Sequence, residues 1–355
     1  MEYFLSDFKK KKYLNHKIKL FFVVKSQDQL VRRERMIKSL NQNKIFGRIK
    51  KRETADGFFG HLTVDNGKVN IDLRISFKEP RHLVEFDKDN FLITEINKVH
   101  KIEKKSGKII DSFNSEWFSF LHTIELNKEK DKFLVASSGF DSVIEMSLKT
   151  KKILYHWCGW EQGFNPDEEG TYLSKDLNTY KKYLNENKKT ILIEPKNFGE
   201  QGILTAMRTA HPNLAVYKSK NEFIVGIGRS GKLYSHSKNT NSTSILFDKL
   251  SQMSHGLRKY KNNWIVTDTT AGKVNILSKD FKITDNVYFK RLEGKPDILG
   301  EIEWVQNTIQ LNSNEFISID SNRGLIHFNL KEKIYAIYQL NENWCFQDIF
   351  FNAKK

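Results

Sequence analysis

The sequence predicts an all-β fold, a six-bladed β-propeller, and three observations carry that prediction. Five segments repeat one layout with a period of about forty residues. The second strand of every segment opens with an aromatic residue followed by aliphatic ones. The two ends of the chain look like complementary parts of one further blade. Five or seven blades are the alternatives to six.

The elements follow in order. Inner strands begin at Arg81-His82-Leu83, Leu121-His122-Thr123, Ala210-His211-Pro212, Ser254-His255-Gly256 and Gln306-Asn307-Thr308. After a short polar turn, second strands open with Phe91-Leu92-Ile93, Phe133-Leu134-Val135, Phe223-Ile224-Val225, Trp264-Ile265-Val266 and Phe316-Ile317-Ser318. The middle strands of a blade lie between neighbouring blades, so they need bulky apolar side chains to fill the wedge. Turns rich in Gly, Ser, Asn and Asp, such as 137–141 and 269–272, supply the positive φ angles that tight hairpins need. Alternating third strands follow, at 143–146 and 274–277 for example, and lysine-bearing turns lead into the fourth.

The sixth blade is expected to close through the termini. Residues 345–350 read as an inner strand, and 45–51, 57–64 and 68–75 as its missing partners, with turns at Ala55-Asp56-Gly57 and Asp65-Asn66-Gly67. Residues 1–44 are then an N-terminal extension carrying a short helix over 29–40, and 45–355 are the propeller. An insertion at 159–208 interrupts it. Within that insertion Leu173, Leu177, Tyr180 and Leu184 recur at helical spacing, with Ser174 in place to cap. Such an insertion builds a lid or partner surface, or simply packs over a blade.

Composition sets the outer bounds. Hydrophobic residues make up 39% of the 355-residue chain and aromatic residues 12%, which excludes wholesale disorder. The formal charge of +16 is carried mainly by lysines scattered through turns. That pattern reads as solvated edges and not as a nucleic-acid footprint. With two cysteines, Cys158 and Cys345, no disulfide framework or cysteine-type zinc site is readable. The apolar run at 18–24 lacks a cleavage site, and no segment is long enough to span a bilayer. A cytoplasmic monomer without a membrane span is expected.

Four of the ten histidines, His82, His122, His211 and His255, occupy one repeat position at the start of successive inner strands. In a propeller that position faces the axis. Converging imidazoles suit a divalent transition metal, zinc or iron, which would activate a water or polarise a substrate oxygen. Glu85 and Glu125, each three residues beyond a histidine, are candidate catalytic or orienting carboxylates. Arg258, with Lys259, is a candidate anchor for an anionic group on the substrate. The competing reading is that the histidines bond to a neighbouring blade and line the channel without a metal.

The segment Ser254-His255-Gly256-Leu257, followed by Trp264-Ile265-Val266-Thr267-Asp268 and Gly272-Lys273-Val274, resembles a repeat of the NHL and SMP-30-like propeller superfamily. That group includes the peptidyl-hydroxyglycine amidating lyases, six-bladed propellers whose zinc is held by inner-strand histidines. By this resemblance His255 is the implied metal ligand. Ala210-His211-Pro212-Asn213 is faintly similar to arylsulfotransferase-like propellers. Two functions are therefore expected as alternatives. One is a metal-dependent lyase, hydrolase or transferase acting on a small polar or anionic substrate. The other is a non-catalytic propeller that binds a protein or glycan partner.

Overall fold

The computed structural model describes residues 1–15, 17–41, 50–51, 53–251, 253–297 and 303–351. The fold is a six-bladed β-propeller of antiparallel four-stranded sheets, two of them extended by a parallel fifth strand. The chain divides into two compact units, one of residues 1–41, 54–83 and 249–355, the other of residues 42–53 and 84–248.

The second unit holds three blades in sequence order. Blade I is Leu83–Glu85, Asn90–Thr94, Lys98–Glu103 and Ile109–Asn114, its first residue belonging to the other unit. Blade II is Leu121–Leu126, Lys132–Ser137, Ser142–Ser147 and Ile153–Cys158. Blade III is Pro212–Tyr217, Glu222–Ile227, Lys232–Ser237 and Ser242–Phe247. One apolar cluster fills each wedge: Leu92, Val99, Phe113, Phe133 and Ile144 between I and II, and Ala136, Trp157, Phe223 and Val225 between II and III. The aromatics that open the second strands of blades II and III, Phe133 and Phe223, are buried in this way, and truncating one to alanine removes about 3–5 kcal/mol.

The first unit holds the other three. Blade IV is Ser254–Tyr260, Asn263–Asp268, Lys273–Leu277 and Ile283–Tyr288, with Glu2–Phe4 added in parallel at its edge. Blade V is Val305–Gln310, Glu315–Asp320, Gly324–Asn329 and Ile334–Tyr338, extended by Lys9–Lys10. Blade VI joins the two ends of the chain. Its inner strand is Cys345–Phe351, and Lys17–Ser26, Asp56–Asp65 and Lys68–Lys78 follow outward.

Termini that share one blade match the expectation, but the strand chosen for the second position does not. Residues 45–49 lie outside the described residues, and Lys17–Ser26 takes the place assigned to 45–51. The propeller thus draws strands from within residues 1–44. The reason is visible in Ile18, Leu20, Phe22 and Val24, which enter the core between blades V and VI, while Phe21 and Val23 are buried on the opposite face. A strand covered on both faces reads as a continuous apolar run without alternation. The helix expected over 29–40 is present as α1, Gln29–Asn41.

The 159–208 insertion folds onto blade II. Two short parallel strands, Tyr172–Ser174 and Thr190–Leu192, flank helix α2, Leu177–Asn185. Trp160, Leu173, Ile193 and Ile203 pack on Phe140 and Cys158. Asp176, not Ser174, caps α2: its carboxylate accepts from the Thr179 N–H at 2.7 Å, and Ser174 Oγ instead donates to the Asp176 carbonyl. Leu173 belongs to a strand, not to the helix.

Candidate functional site

Blades II to VI each carry a register shift in the inner strand near its start: at 121/124, 212/214, 255/258, 305/307, and twice in blade VI. A bulge inserts one residue and turns the following side chains to the other face. The repeat position of the histidines is therefore also the position where strand alternation breaks.

In the second unit, His122 and His211 are buried, with ring centroids 5.7 Å apart in a T-shaped arrangement. His211 sits at φ +54°, in the left-handed region, and its backbone N–H donates to the buried Asp141 at 2.7 Å. The same carboxylate takes the N–H groups of Thr209 and Ala210, so one side chain fixes the entry to blade III. Desolvation pushes the Asp141 carboxyl up in pKa, opposed by those three amides and by Arg208. Glu125 accepts from the Tyr217 N–H, and Thr123 Oγ1 accepts from the Ala215 N–H at 2.9 Å, which fastens blade III to blade II. Glu85 pairs with Lys104. Neither glutamate is placed by these contacts as an orienting group for an imidazole.

In the first unit, a buried carboxylate gathers the predicted residues. Asp348 Oδ1 accepts from Arg258 Nη2, from Asn307 Nδ2 at 2.5 Å and from the Ile349 N–H at 2.8 Å. Its Oδ2 accepts from the Leu83 N–H at 3.1 Å and lies 3.4 Å from His82 Nε2. Four inner strands or their leading residues meet at one side chain. Gly256, at φ +60°, makes room for this: a Cβ there would fall 2.2 Å from Asn307 Oδ1. Within the strand expected over 345–350, Gln347 is the extra residue of the bulge between Phe346 and Asp348, and Asp348 takes the joining position. Lys259 turns away, its ammonium 5.7 Å from the Trp264 ring centroid.

His255 Nδ1 bonds Thr269 Oγ1 at 2.8 Å. Its pKa is pushed down to about 4, first by desolvation and then by the charges of Lys25 and Arg81. Those two belong to a cationic group that sequence reasoning missed. Lys25 ends the apolar run of Lys17–Ser26. Opposite the inner strand, Ser26 pairs with Cys345 and Val24 with Phe346, so Lys25 is itself a bulge residue. Desolvation, followed by the nearby Arg32 and Arg81, holds its ammonium well below the usual lysine pKa. Two carboxylates act on it: Asp28, and the buried Glu79, which is engaged by Arg81 Nη2 at 3.1 Å and by the Ala55 N–H at 3.1 Å. Arg32 donates from Nε to Asp28 at 2.8 Å and to Ser26 Oγ at 3.0 Å. Its buried Nη2 has no hydrogen-bond partner among the described residues, and neither polar atom of the buried Gln29 amide has one. The signal available in the sequence was a lysine closing an apolar strand directly before Ser26.

Among the described residues, no group of three or more His, Cys, Asp or Glu side chains is arranged to hold a metal ion. His82 lies against Asp348 and His255 against Thr269, while His122 and His211 form a pair. Within either unit the candidate histidines, two in each, do not by themselves fit a centre with three or more protein ligands of the zinc or iron type, and no chemistry below is routed through one. No helix among the described residues is long and apolar enough to cross a membrane.

No family model matches the chain, and no curated protein matches it by sequence. Solved structures do. A protein of unknown function from Bacteroides caccae aligns over 94% of this chain and 98% of its own, at 11% identity and a TM-score of 0.53. A chain of a nidogen/laminin complex aligns over 94% and 97%, at 9% identity and 0.53. A streptogramin B lyase aligns over 83% and 82%, at 10% identity and 0.47. At these identities the first two likenesses show the fold alone, and that fold is the β-propeller.

Proposed function

We propose that this protein is a β-propeller that binds a small anionic ligand at the cationic, histidine-bearing strand ends of its first unit. The observation that carries the reading is charge imbalance in a desolvated place. Lys25, Arg32 and Arg81 stand beside two carboxylates, Asp28 and Glu79, which already serve Arg32, Arg81 and a backbone amide, so three cations face two anions. An uncompensated cation out of water is expensive and is retained where a ligand supplies the missing charge. Lysine gives such a ligand a point charge, and an arginine fork gives it paired donors. The resemblance of residues 254–277 to an NHL-type repeat is compatible with this reading, and Lys25 and Arg81 both act on His255.

A second reading is acid–base chemistry on the bound ligand, favoured by His82 and Asp348. A buried carboxylate 3.4 Å from the imidazole orients the ring and stabilises its protonated form. Arg258, bonded to the same carboxylate, offsets the charge. The lyase, hydrolase or transferase class belongs to this second reading.

Calorimetric titration with inorganic phosphate and with citrate, at constant ionic strength, tests the binding. Saturable binding by wild type that weakens about tenfold or more in Lys25→Met and Arg32→Met is expected, since one lost charge-assisted contact is worth about 1.5–3 kcal/mol. Absence of saturable binding to either anion, or equal binding by both variants, overturns the proposal.

A further inference from the structure

The turn between the second and third strands of blade V is held by its backbone and by Asp320, without help from two of its side chains. The Ser321 N–H donates to the Trp304 carbonyl at 3.1 Å, the Asn322 N–H to Asp320 Oδ1 at 2.7 Å and the Arg323 N–H to the Asp320 carbonyl at 3.3 Å. Gly324, at φ +100°, closes the turn against the end of the fourth strand, where a Cβ would fall 2.4 Å from the Tyr338 carbonyl oxygen. Arg33 Nη2 donates to the Ser321 carbonyl at 2.7 Å. In other turns of this unit Asn312, Asn329 and Asn341 each use the side-chain oxygen to accept from the N–H two residues on. Here Asp320 has that role, and the Asn322 amide is left over. Asn322 is 8% exposed and Ser321 4%. Neither polar atom of the Asn322 amide has a hydrogen-bond partner among the described residues, and neither does Ser321 Oγ.

Both residues line a cavity of about 830 Å³ between blades V and VI, a size at which small-molecule sites are found. The cations near it are already engaged. Arg323 donates to Asp320, to Glu303 and to the carbonyls of Leu292 and Glu293, and Lys10 pairs with Glu293. Arg33, beside the turn, has Glu342 and Asp320 acting on it. In the lining itself the carboxylates of Asp320, Glu293 and Glu342 stand against the two cations Lys10 and Arg323, a balance that does not favour an anion. Val69, Ile337 and Leu340, each half-buried, add aliphatic surface to the same cavity.

We propose that this cavity binds a neutral saccharide, whose hydroxyl groups bond the Asn322 amide and Ser321 Oγ. The site is separate from the anion site and does not rest on it. A carboxamide offers an acceptor and donors side by side, and every hydroxyl both donates and accepts. Two adjacent ring hydroxyls therefore match it, one donating to Oδ1 and the other accepting from Nδ2. Ser321 Oγ, on the next residue, also donates and accepts. The aliphatic residues cover the C–H face of the ring, which removes apolar area from water. A charged ligand would enter without a free partner for its charge. Left without partners, these buried polar atoms weaken the fold, and a hydroxyl-rich ligand supplies their missing bonds.

The test uses the full chain at neutral pH with the methyl glycosides of glucose, galactose and mannose and with maltose and cellobiose, read by saturation-transfer NMR and calorimetry. Saturable binding of at least one of them is expected. It should weaken about tenfold or more in Asn322→Leu, because two hydrogen bonds are lost, and by a smaller factor in Ser321→Ala. Ser321→Ala deletes a single oxygen, so it gives the direction of the effect even where the leucine disturbs the turn. Methyl glucuronide should bind no more tightly than the neutral probes. Lys25→Met should leave the sugar binding unchanged, which keeps this site distinguishable from the anion site. Absence of saturable binding by all the neutral probes, or binding unchanged in both turn variants, overturns the proposal and leaves the cavity to ordered water. Tighter binding of the glucuronide than of every neutral probe, or sugar binding lost only in Lys25→Met, overturns it as well.

Discussion

Replacing Asp348 with asparagine removes one negative charge from the point where the inner strands of the first unit are joined. The carboxylate is fully buried and holds Arg258, Asn307 and the Leu83 amide, with His82 at 3.4 Å. Taking away one partner of a fully buried ion pair costs about 3–5 kcal/mol. Arg258 is 24% exposed, so water recovers part of that loss, and the asparagine carbonyl keeps one acceptor in place. Its NH₂ group then meets a donor, either Arg258 or the Leu83 N–H, and one bond is lost outright. The expected destabilisation is about 2–3 kcal/mol. Urea unfolding followed by tryptophan fluorescence reads it as a lowered midpoint. Asp111→Asn is the control, since its pair with Lys151 is 41% and 46% exposed and worth about 0.5 kcal/mol or less. A midpoint for Asp348→Asn equal to that of the control would refute the idea that Asp348 ties these strands together.

Gly256→Ala is expected to destabilise by about 1–3 kcal/mol, because φ +60° and a Cβ 2.2 Å from Asn307 Oδ1 both oppose it; an unchanged urea midpoint would contradict the close approach. The pH dependence follows from His255. Its folded pKa, about 4, lies below the unfolded value of about 6.5, so the stability it contributes is full above pH 6.5. That stability declines as the pH falls toward about 4, because over that window the unfolded chain binds a proton that the native state does not. In His255→Gln the slope of unfolding free energy against pH between 6.5 and 4 should be shallower, and an identical slope would exclude a depressed His255.

The sequence carries the repeat and the order of strands because blade packing imposes a pattern that repeats. Phe133, Phe223 and Phe316 each fill an equivalent wedge, and each is buried as its position implied. Tight turns are legible for the same reason, as at Asn66-Gly67, where both residues take positive φ. Two things escaped. The strand Lys17–Ser26 alternates over its first four residues only, and from Phe21 to Val24 it is apolar on both faces, so that run reads equally as a hydrophobic segment of another kind. The bulges escaped because an inserted residue leaves no compositional mark. One such residue, Gln347, leaves Asp348 at the joining position, and another sets Lys25 apart from its strand. The candidate histidines were correctly placed at strand starts, but what each one bonds depends on side chains from other blades.

The same repeat position serves two purposes, and the contrast between the units separates them. In the second unit its polar groups are consumed by the fold: Asp141 takes three consecutive backbone amides, Glu125 and Thr123 take amides of blade III, and Glu85 takes a lysine. Every negative charge there has a donor, and the arrangement explains itself as fastening. In the first unit Asp348 does the same work for Arg258, Asn307 and Leu83. Arg32 Nη2 and the Gln29 amide remain, buried and without a hydrogen-bond partner among the described residues, near the half-buried Lys25. A fold selected for stability alone would gain by replacing Lys25 with methionine, which fills the same space without a charge to desolvate. Lys25 beside two arginines, at the blade where both chain ends meet, is the feature of this unit that stability alone does not explain.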